Sequence, residues 1–317
     1  MTLTLDILLF IAGAALVILG ADWLVDGASG VARRFGLSEY VIGATIVGIG
    51  TSMPEFVVSA VAAIKGNADI AIGNVAGSNL FNTLMIIGVT ALILPLLFSR
   101  RNIRIDMPMC IAASLLFVAF AWGGKVNRWE GAILFALFVA YIWFNLKKGK
   151  TEEESGEDSK KETPMSIWKM IALILAGLGG LVLGGNLFVD HGVNIAHAMH
   201  ISEAVIANTI MAGGTSLPEL AVCIVAAAKG RGQMAIGNII GSNISNILLI
   251  IGFSAAITPL NVLPVNFQSI LAVAISSVLL MLTAFPLRTK KIERWEGALF
   301  IALYVAYVLM ILHVGAV

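Results

Sequence analysis

The sequence predicts an all-α polytopic membrane protein with ten transmembrane helices, arranged as two inverted five-helix repeats in which helices 2 and 7 are broken. Three observations support this fold class. The 317 residues are 59% hydrophobic and only 12% charged, with a mean hydropathy of +0.95, which is typical of polytopic membrane proteins. Many apolar runs are long enough to cross a bilayer. The second half of the chain also repeats the first at a nearly constant spacing.

Ten apolar stretches reach the length of roughly 20 residues that a helix needs to span a bilayer. The sixth to tenth stretches repeat the first to fifth. Because five is odd, the second repeat must enter the membrane from the opposite side, as in many secondary transporters. We therefore expect one repeat at 1–146, a polar linker at 147–166 and a second repeat at 167–317. The predicted spans are about 5–28, 39–64, 70–95, 105–123, 129–146, 167–192, 202–228, 234–259, 266–285 and 295–314.

The motif GTSMPE at 50–55 returns as GTSLPE at 214–219. Each copy places a glutamate, Glu55 or Glu219, in an apolar run, where a carboxylate is costly and therefore indicates function. The proline before each glutamate lacks an N–H, so the helix loses a hydrogen bond and breaks. Broken helices in lipid survive where they face protein or a water-filled cavity. Carboxylate, hydroxyl and free carbonyl oxygens are hard ligands that suit Na⁺ or Ca²⁺.

The repeat extends beyond this motif, since 43–82 and 207–246 share 21 identities in 40 positions. Both segments end in the pattern GNxxGSNxxN. On a helix, its serine and last asparagine lie four residues apart and share one face. This polar face would serve equally well to join helices, but beside two buried carboxylates we favour ion ligands: Ser78, Asn82, Ser242 and Asn246.

The first asparagine of each pattern, Asn74 or Asn238, is expected to break the helix or make structural hydrogen bonds. Four other polar residues lie late in the first and sixth spans: Asp22, Asp26, Asn186 and Asp190. They could line an ion path, but solvation of helix ends is the favoured interpretation.

The distribution of basic residues predicts orientation. Of the 20 Lys and Arg residues, all but Lys65, Lys125 and Arg128 fall on one face of the predicted topology. Cytoplasmic loops carry the excess of positive charge. We therefore expect both termini outside the cell membrane and the 147–166 linker in the cytoplasm.

Two ionised glutamates give a site charge of −2, which one Ca²⁺ or two Na⁺ would neutralise. Competition for the same carboxylates, at a site exposed alternately to each side, would produce Na⁺/Ca²⁺ exchange. Because glutamate also carries protons, Ca²⁺/H⁺ or another cation/H⁺ exchange is the alternative, and a passive cation channel is a remote one. We expect Ca²⁺, Na⁺ and the lipid bilayer as partners, no cofactor, no nucleic acid, no enzymatic activity and a monomer.

The paired GTSxPE motifs, each followed by GNxxGSN, resemble the repeats of the cation/Ca²⁺ exchanger superfamily. The length, ten spans and short central linker are similar to those of prokaryotic sodium/calcium exchangers. The resemblance covers essentially the whole chain. It implies that the first and sixth spans slide past a rigid remainder to give alternating access.

The resemblance also implies a set of ion ligands. Glu55 and Glu219, with the backbone oxygens of Thr51 and Thr215, would bind Ca²⁺. Position 246 is acidic in some relatives, so Asn246 argues against K⁺ dependence. The implied outer Na⁺ site comprises Ala212, Thr215, Ser216, Glu219 and Ser78, the inner one Gly48, Thr51, Ser52, Glu55 and Ser242, and Asn82 and Asn246 complete the middle.

Overall fold

The computed structural model describes residues 3–148, 165–199, 212–283 and 291–314. The predicted linker and the start of the seventh predicted span lie largely outside the described residues. The first half contains six helices: α1 (Leu3–Phe35), α2 (Glu39–Thr51), α3 (Met53–Ile64), α4 (Ala68–Ile93), α5 (Asn102–Ala121) and α6 (Arg128–Lys148).

The described part of the second half has the same order of elements. Its helices are α7 (Ile167–Ala198), the short turn α8 (Ala212–Gly214), α9 (Leu217–Ala228), α10 (Gly232–Ile257), α11 (Pro264–Thr283) and α12 (Arg294–Val314). Within the described ranges, seven helices are long and apolar enough to cross a membrane, or eight if α2 and α3 form one bent span. The chain is thus a multi-pass helical membrane protein.

The predicted helix breaks fall at the two GTSxPE motifs. Helices α2 and α3 meet at Ser52 with a bend of 48°. Pro54 lies in the first turn of α3, where the missing N–H leaves no hydrogen bond unmade. In the second half, Thr215 and Ser216 separate α8 from α9, and Pro218 again follows in the first turn. Each glutamate consequently lies in the first turn of a new helix.

Several helices contain π-helical turns that the sequence did not reveal. One spans Gly43–Val47 in α2, a second spans Phe81–Ile86 in α4, and a third spans Asn246–Ile251 in α10. Such turns often mark functional sites because they re-aim side chains. The second contains Asn82 and the third begins at Asn246, so both predicted middle ligands lie on locally widened helix.

The two longest helices, α1 and α7, pack along a seam of glycines. A Cβ added at Gly20 would lie 2.7 Å from Leu181 N, and one added at Gly177 would lie 2.6 Å from Leu24 N. Only glycine allows the two backbones to approach so closely.

Helices α4 and α10 form the most enclosed part of the molecule. Two short antiparallel strand pairs tie the halves together around them. Leu96–Leu97 pairs with Lys291–Ile292, and Lys125–Val126 pairs with Leu260–Asn261. Each pair joins a segment of one half to a segment of the other.

Candidate cation-binding site

The two motif glutamates are fully buried and are bound by serines of the opposite motif. Ser216 Oγ donates to Glu55 Oε1 at 3.0 Å, and Ser52 Oγ donates to Glu219 Oε1 at 2.8 Å. Both carboxylates are 0% exposed. Ser78 Oγ also lies 3.4 Å from Glu55 Oε1. The reciprocal pairing places the two carboxylates in one cluster at the junction of the halves.

The second oxygen of each carboxylate has no hydrogen-bond partner among the described residues. The same is true of both polar atoms of Asn82 and of Asn246 Oδ1. Buried polar atoms are normally paired, and an unpaired one costs free energy. The four side chains thus supply oxygens that a cation could satisfy: Glu55, Glu219, Asn82 and Asn246.

The backbone before the first break is also part of this cluster. Ser242 Oγ donates to the carbonyl of Gly48 at 3.2 Å. Thr51 Oγ1 donates to Asn238 Oδ1 at 3.2 Å and lies 3.4 Å from the Gly48 carbonyl. These bonds hold α2 of the first half against α10 of the second.

Asn74 and Asn238 make the structural hydrogen bonds expected of them. Asn74 Nδ2 donates to the backbone carbonyl of Glu55 at 3.2 Å, and Asn238 Nδ2 lies 3.4 Å from that of Glu219. Asn74 also binds Ser59, and Asn238 binds Cys223 at the equivalent place. Each asparagine therefore fixes the helix turn that carries the glutamate.

The hydrogen bonds bring several of the predicted ligands into contact: Ser52 with Glu219, Ser216 and Ser78 with Glu55, and Ser242 and Thr51 with Gly48. Each motif serine, however, binds the glutamate of the opposite half. Ser52 binds Glu219, and Ser216 binds Glu55. Thr215 is only partly buried and lines a cavity, and Ala212 begins the turn α8.

That cavity has a volume of about 430 Å³ and lies between α3 and α7. Met53 and Pro54 line one wall, Asn186 and Asp190 line another, and Thr215 lies at the motif. A path bounded partly by polar groups therefore reaches the second GTSxPE motif. Asn186 and Asp190 accordingly face this cavity, as the ion-path interpretation requires.

Their counterparts on α1 have different surroundings. Lys229 Nζ lies 2.8 Å from Asp22 Oδ1 and 2.7 Å from Asp26 Oδ1. Arg231 adds longer contacts of 3.9 Å to Asp26 and 3.8 Å to Glu39. We call these five residues the ion-pair cluster. Helix α1 also packs directly on α9, so these ion pairs join two helices that are in contact. Solvation of helix ends alone was therefore an incomplete interpretation of Asp22 and Asp26.

The sequence reasoning did not assign a buried amide network beside the site. Asn246 Nδ2 donates to Asn79 Oδ1 at 2.9 Å, and Asn79 Nδ2 donates to the carbonyl of Asn243 at 3.2 Å. Asn243 Nδ2 in turn donates to Thr83 Oγ1 at 2.8 Å. The signal was present, because Asn79 and Asn243 are the same residue of the two GSN motifs. We call these four residues the amide network.

This arrangement of two broken helices with buried carboxylates, held between two similar halves, defines a cation transporter fold. A family model described as sodium/calcium exchanger protein matches residues 5–147 and 169–313. The chain therefore belongs to the sodium/calcium exchanger family.

Individual relatives match over nearly their full length. The chain is 31% identical over 352 residues to sodium/calcium exchanger MaX1 of Methanosarcina acetivorans, covering 98% of this chain and 100% of the relative. It is 38% identical over 301 residues to an uncharacterised membrane protein of Methanocaldococcus jannaschii, covering 93% of this chain and 94% of the relative. A solved structure of the sodium-calcium exchanger NCX_Mj, soaked with zero Na⁺ and Ca²⁺, superposes with a TM-score of 0.86 at 33% sequence identity. The match covers 98% of this chain and 100% of that chain. The relative from Methanosarcina acetivorans and NCX_Mj are both named as sodium/calcium exchangers.

Proposed function

We propose that this protein is a secondary antiporter that exchanges Na⁺ for Ca²⁺ across the cell membrane by alternating access. The observation that carries the proposal is the set of buried oxygens on Glu55, Glu219, Asn82 and Asn246 that have no hydrogen-bond partner within the described part of the chain. Among the described residues neither buried carboxylate has a positively charged partner, and carboxylates in the bilayer interior need cations to balance them. Hard oxygen ligands in this number suit Na⁺ and Ca²⁺.

The proposed Ca²⁺ site uses both glutamates, with the backbone oxygens of Thr51 and Thr215. One Ca²⁺ or two Na⁺ would neutralise the site, so the two ions compete for the same carboxylates. Na⁺ would occupy an outer and an inner site on either side of the centre. The proposed outer ligands are Ala212, Thr215, Ser216, Glu219 and Ser78, the inner ligands are Gly48, Thr51, Ser52, Glu55 and Ser242, and Asn82 and Asn246 lie between.

The proposed topology has ten spans in two inverted repeats, 1–146 and 167–317, joined by a cytoplasmic linker at 147–166. The strand pairs support it, since both join the segment after the third predicted span of one half to the segment before the fifth predicted span of the other. The reciprocal serine–glutamate bonds support it at the site. The excess of Lys and Arg on the linker side supports an orientation with both termini outside.

Alternating access is supported by a difference between the two sides of the molecule. On the side of Asp22 and Asp26, the ion-pair cluster holds α1 against α9. On the equivalent side, the cavity separates α7 from α3 and reaches Thr215. With the proposed orientation, this conformation is open to the outside and closed to the cytoplasm. Sliding of α1 and α7 would exchange the two arrangements.

The test is Ca²⁺ uptake into proteoliposomes loaded with Na⁺, compared with vesicles loaded with choline or K⁺, each with and without a pH gradient. We expect uptake only with internal Na⁺. Uptake driven by the pH gradient alone would overturn Na⁺ coupling and place the protein among Ca²⁺/H⁺ exchangers. Flux that needs no counter-ion would overturn antiport and indicate a channel.

A further inference from the structure

We propose that Asn79 is a positioning residue for ion binding, which orients the amide of Asn246 so that its oxygen is presented to the cation. This inference rests on the proposed function, because Asn246 is a ligand only if the site binds cations. Asn79 itself would not contact the ion. Its role follows from the hydrogen bonds of the amide network.

The orientation of both amides follows from one backbone group. The carbonyl of Asn243 can only accept a hydrogen bond, so Asn79 must turn its Nδ2 toward it, at 3.2 Å. The oxygen of Asn79 then faces Asn246 and can only accept. Asn246 must therefore give its Nδ2 to Asn79, at 2.9 Å, and turn its own oxygen away. That oxygen is buried and has no partner among the described residues.

The free oxygen points to a ligand role because of its place in the helix. Asn246 lies one helical turn beyond Ser242, which binds the Gly48 carbonyl of the proposed inner Na⁺ site. It also begins a π-helical turn. If the amide rotated by half a turn, the site would meet an NH₂ group in place of an oxygen. A donor carries partial positive charge and repels a cation, so the orientation decides whether Asn246 binds one.

In the first half, the amide of the equivalent residue, Asn82, is not oriented in this way. By position, Asn243 should orient Asn82, but Asn243 donates to Thr83 Oγ1. Neither polar atom of Asn82 has a hydrogen-bond partner in the described ranges. Within the described part of the chain, hydrogen bonds therefore fix the orientation of the Asn246 amide but not that of Asn82.

The experiment is a double-mutant cycle between Asn79→Leu and Asn246→Asp, read as the Ca²⁺ concentration for half-maximal Na⁺-dependent uptake. Alone, Asn79→Leu should weaken apparent Ca²⁺ affinity about 10-fold or more, as is common when a partner of a metal ligand is removed. In the Asn246→Asp background, Asn79→Leu should leave the apparent Ca²⁺ affinity almost unchanged. A carboxylate offers an oxygen in either orientation and has no N–H for Asn79 to accept. If Asn79 had a merely structural role, Asn79→Leu would weaken the apparent Ca²⁺ affinity by the same factor in both backgrounds.

Thr83→Val is the matched control, since it breaks a bond of the same amide network without touching Asn246 or Asn79. It should leave Ca²⁺ affinity within about 2-fold, as expected for a position without a role at the metal. Asn79→Ala replaces Asn79→Leu if the larger side chain prevents folding, as judged by gel filtration and thermal unfolding.

The outcomes separate the inference from the proposed function. Equal losses from Asn79→Leu in both backgrounds would overturn the positioning role, and so would unchanged affinity with Asn246 intact. If Asn246→Ala leaves both Ca²⁺ and Na⁺ affinity unchanged, the proposed ligand set is wrong at this position, and the inference fails with it. If Asn246→Ala weakens binding but Asn79→Leu does not, only the inference fails.

Discussion

Replacing Lys229 by methionine tests whether the ion-pair cluster holds the observed conformation. Its amine lies within 2.8 Å of Asp22 and Asp26, but the side chains are partly exposed, 26% for Lys229, 44% for Asp22 and 40% for Asp26. Exposed pairs of this kind contribute about 0.2–1 kcal/mol each. Losing both should shift the equilibrium between the two conformations by about 2- to 30-fold, since 1.4 kcal/mol is a factor of ten.

The assay is labelling of a cysteine at position 186 by a membrane-impermeant maleimide in proteoliposomes. Asn186 lines the cavity, so Asn186→Cys should react when the cavity is open. The native Cys110 and Cys223 are buried and provide a low background. Adding Lys229→Met should slow the labelling, because the conformation with the open cavity loses its ion pairs.

Lys65→Met is the matched control, because Lys65 occupies the place in the first half that Lys229 occupies in the second. In the opposite conformation Lys65 should approach Asp190, the counterpart of Asp26. Its removal should therefore leave labelling unchanged or increase it. Equal labelling of the parent and Lys229→Met would refute the reasoning, as would an equal decrease in both lysine variants.

Three further changes have defined outcomes. Glu219→Gln should abolish Ca²⁺ uptake while thermal unfolding still shows a folded protein, because the site loses half its charge; a wild-type rate would remove Glu219 from the ligands. Ser52→Ala should reduce apparent Na⁺ affinity about 5-fold, since removing a bond to a charged group typically costs about 1 kcal/mol or more; unchanged Na⁺ dependence of uptake would contradict this. Gly177→Ala should lower the melting temperature and the uptake rate, because its Cβ would meet Leu24 N at 2.6 Å, whereas Gly179→Ala meets no atom within 4 Å and should do neither. Similar melting curves for the two alanine variants would show that the seam tolerates a methyl group.

The repeat made much of the site predictable. Glu55 and Glu219 stood out as carboxylates in apolar runs, and proline located the helix breaks. Helical spacing placed Ser78 with Asn82, and it placed Ser242 with Asn246. These features depend on local chemistry, which a sequence displays directly.

Other features were not predictable, for a physical reason. A repeated sequence predicts two equivalent halves, but a single conformation of an alternating transporter must make them differ. Nothing in the chain shows that Lys229 is paired while the cavity beside Asp190 is open. The π-helical turn at Asn246 was equally hidden, because one extra residue in a turn leaves no compositional mark. The pairing of Asn79 with Asn246 depends on that turn.

The glycine seam between α1 and α7 has a consequence for the leakage of ions across the membrane. At Gly20 and Gly177 the backbones of the two helices are in direct contact, with no side chain between them at that place. Helix α1 carries Asp22 and Asp26, which bind Lys229, and α7 forms a wall of the cavity. If α1 and α7 slide together as proposed, a displacement that opens one entrance would close the other. No continuous pore would then cross the membrane, so Na⁺ would not leak down its gradient and the membrane potential would not be dissipated.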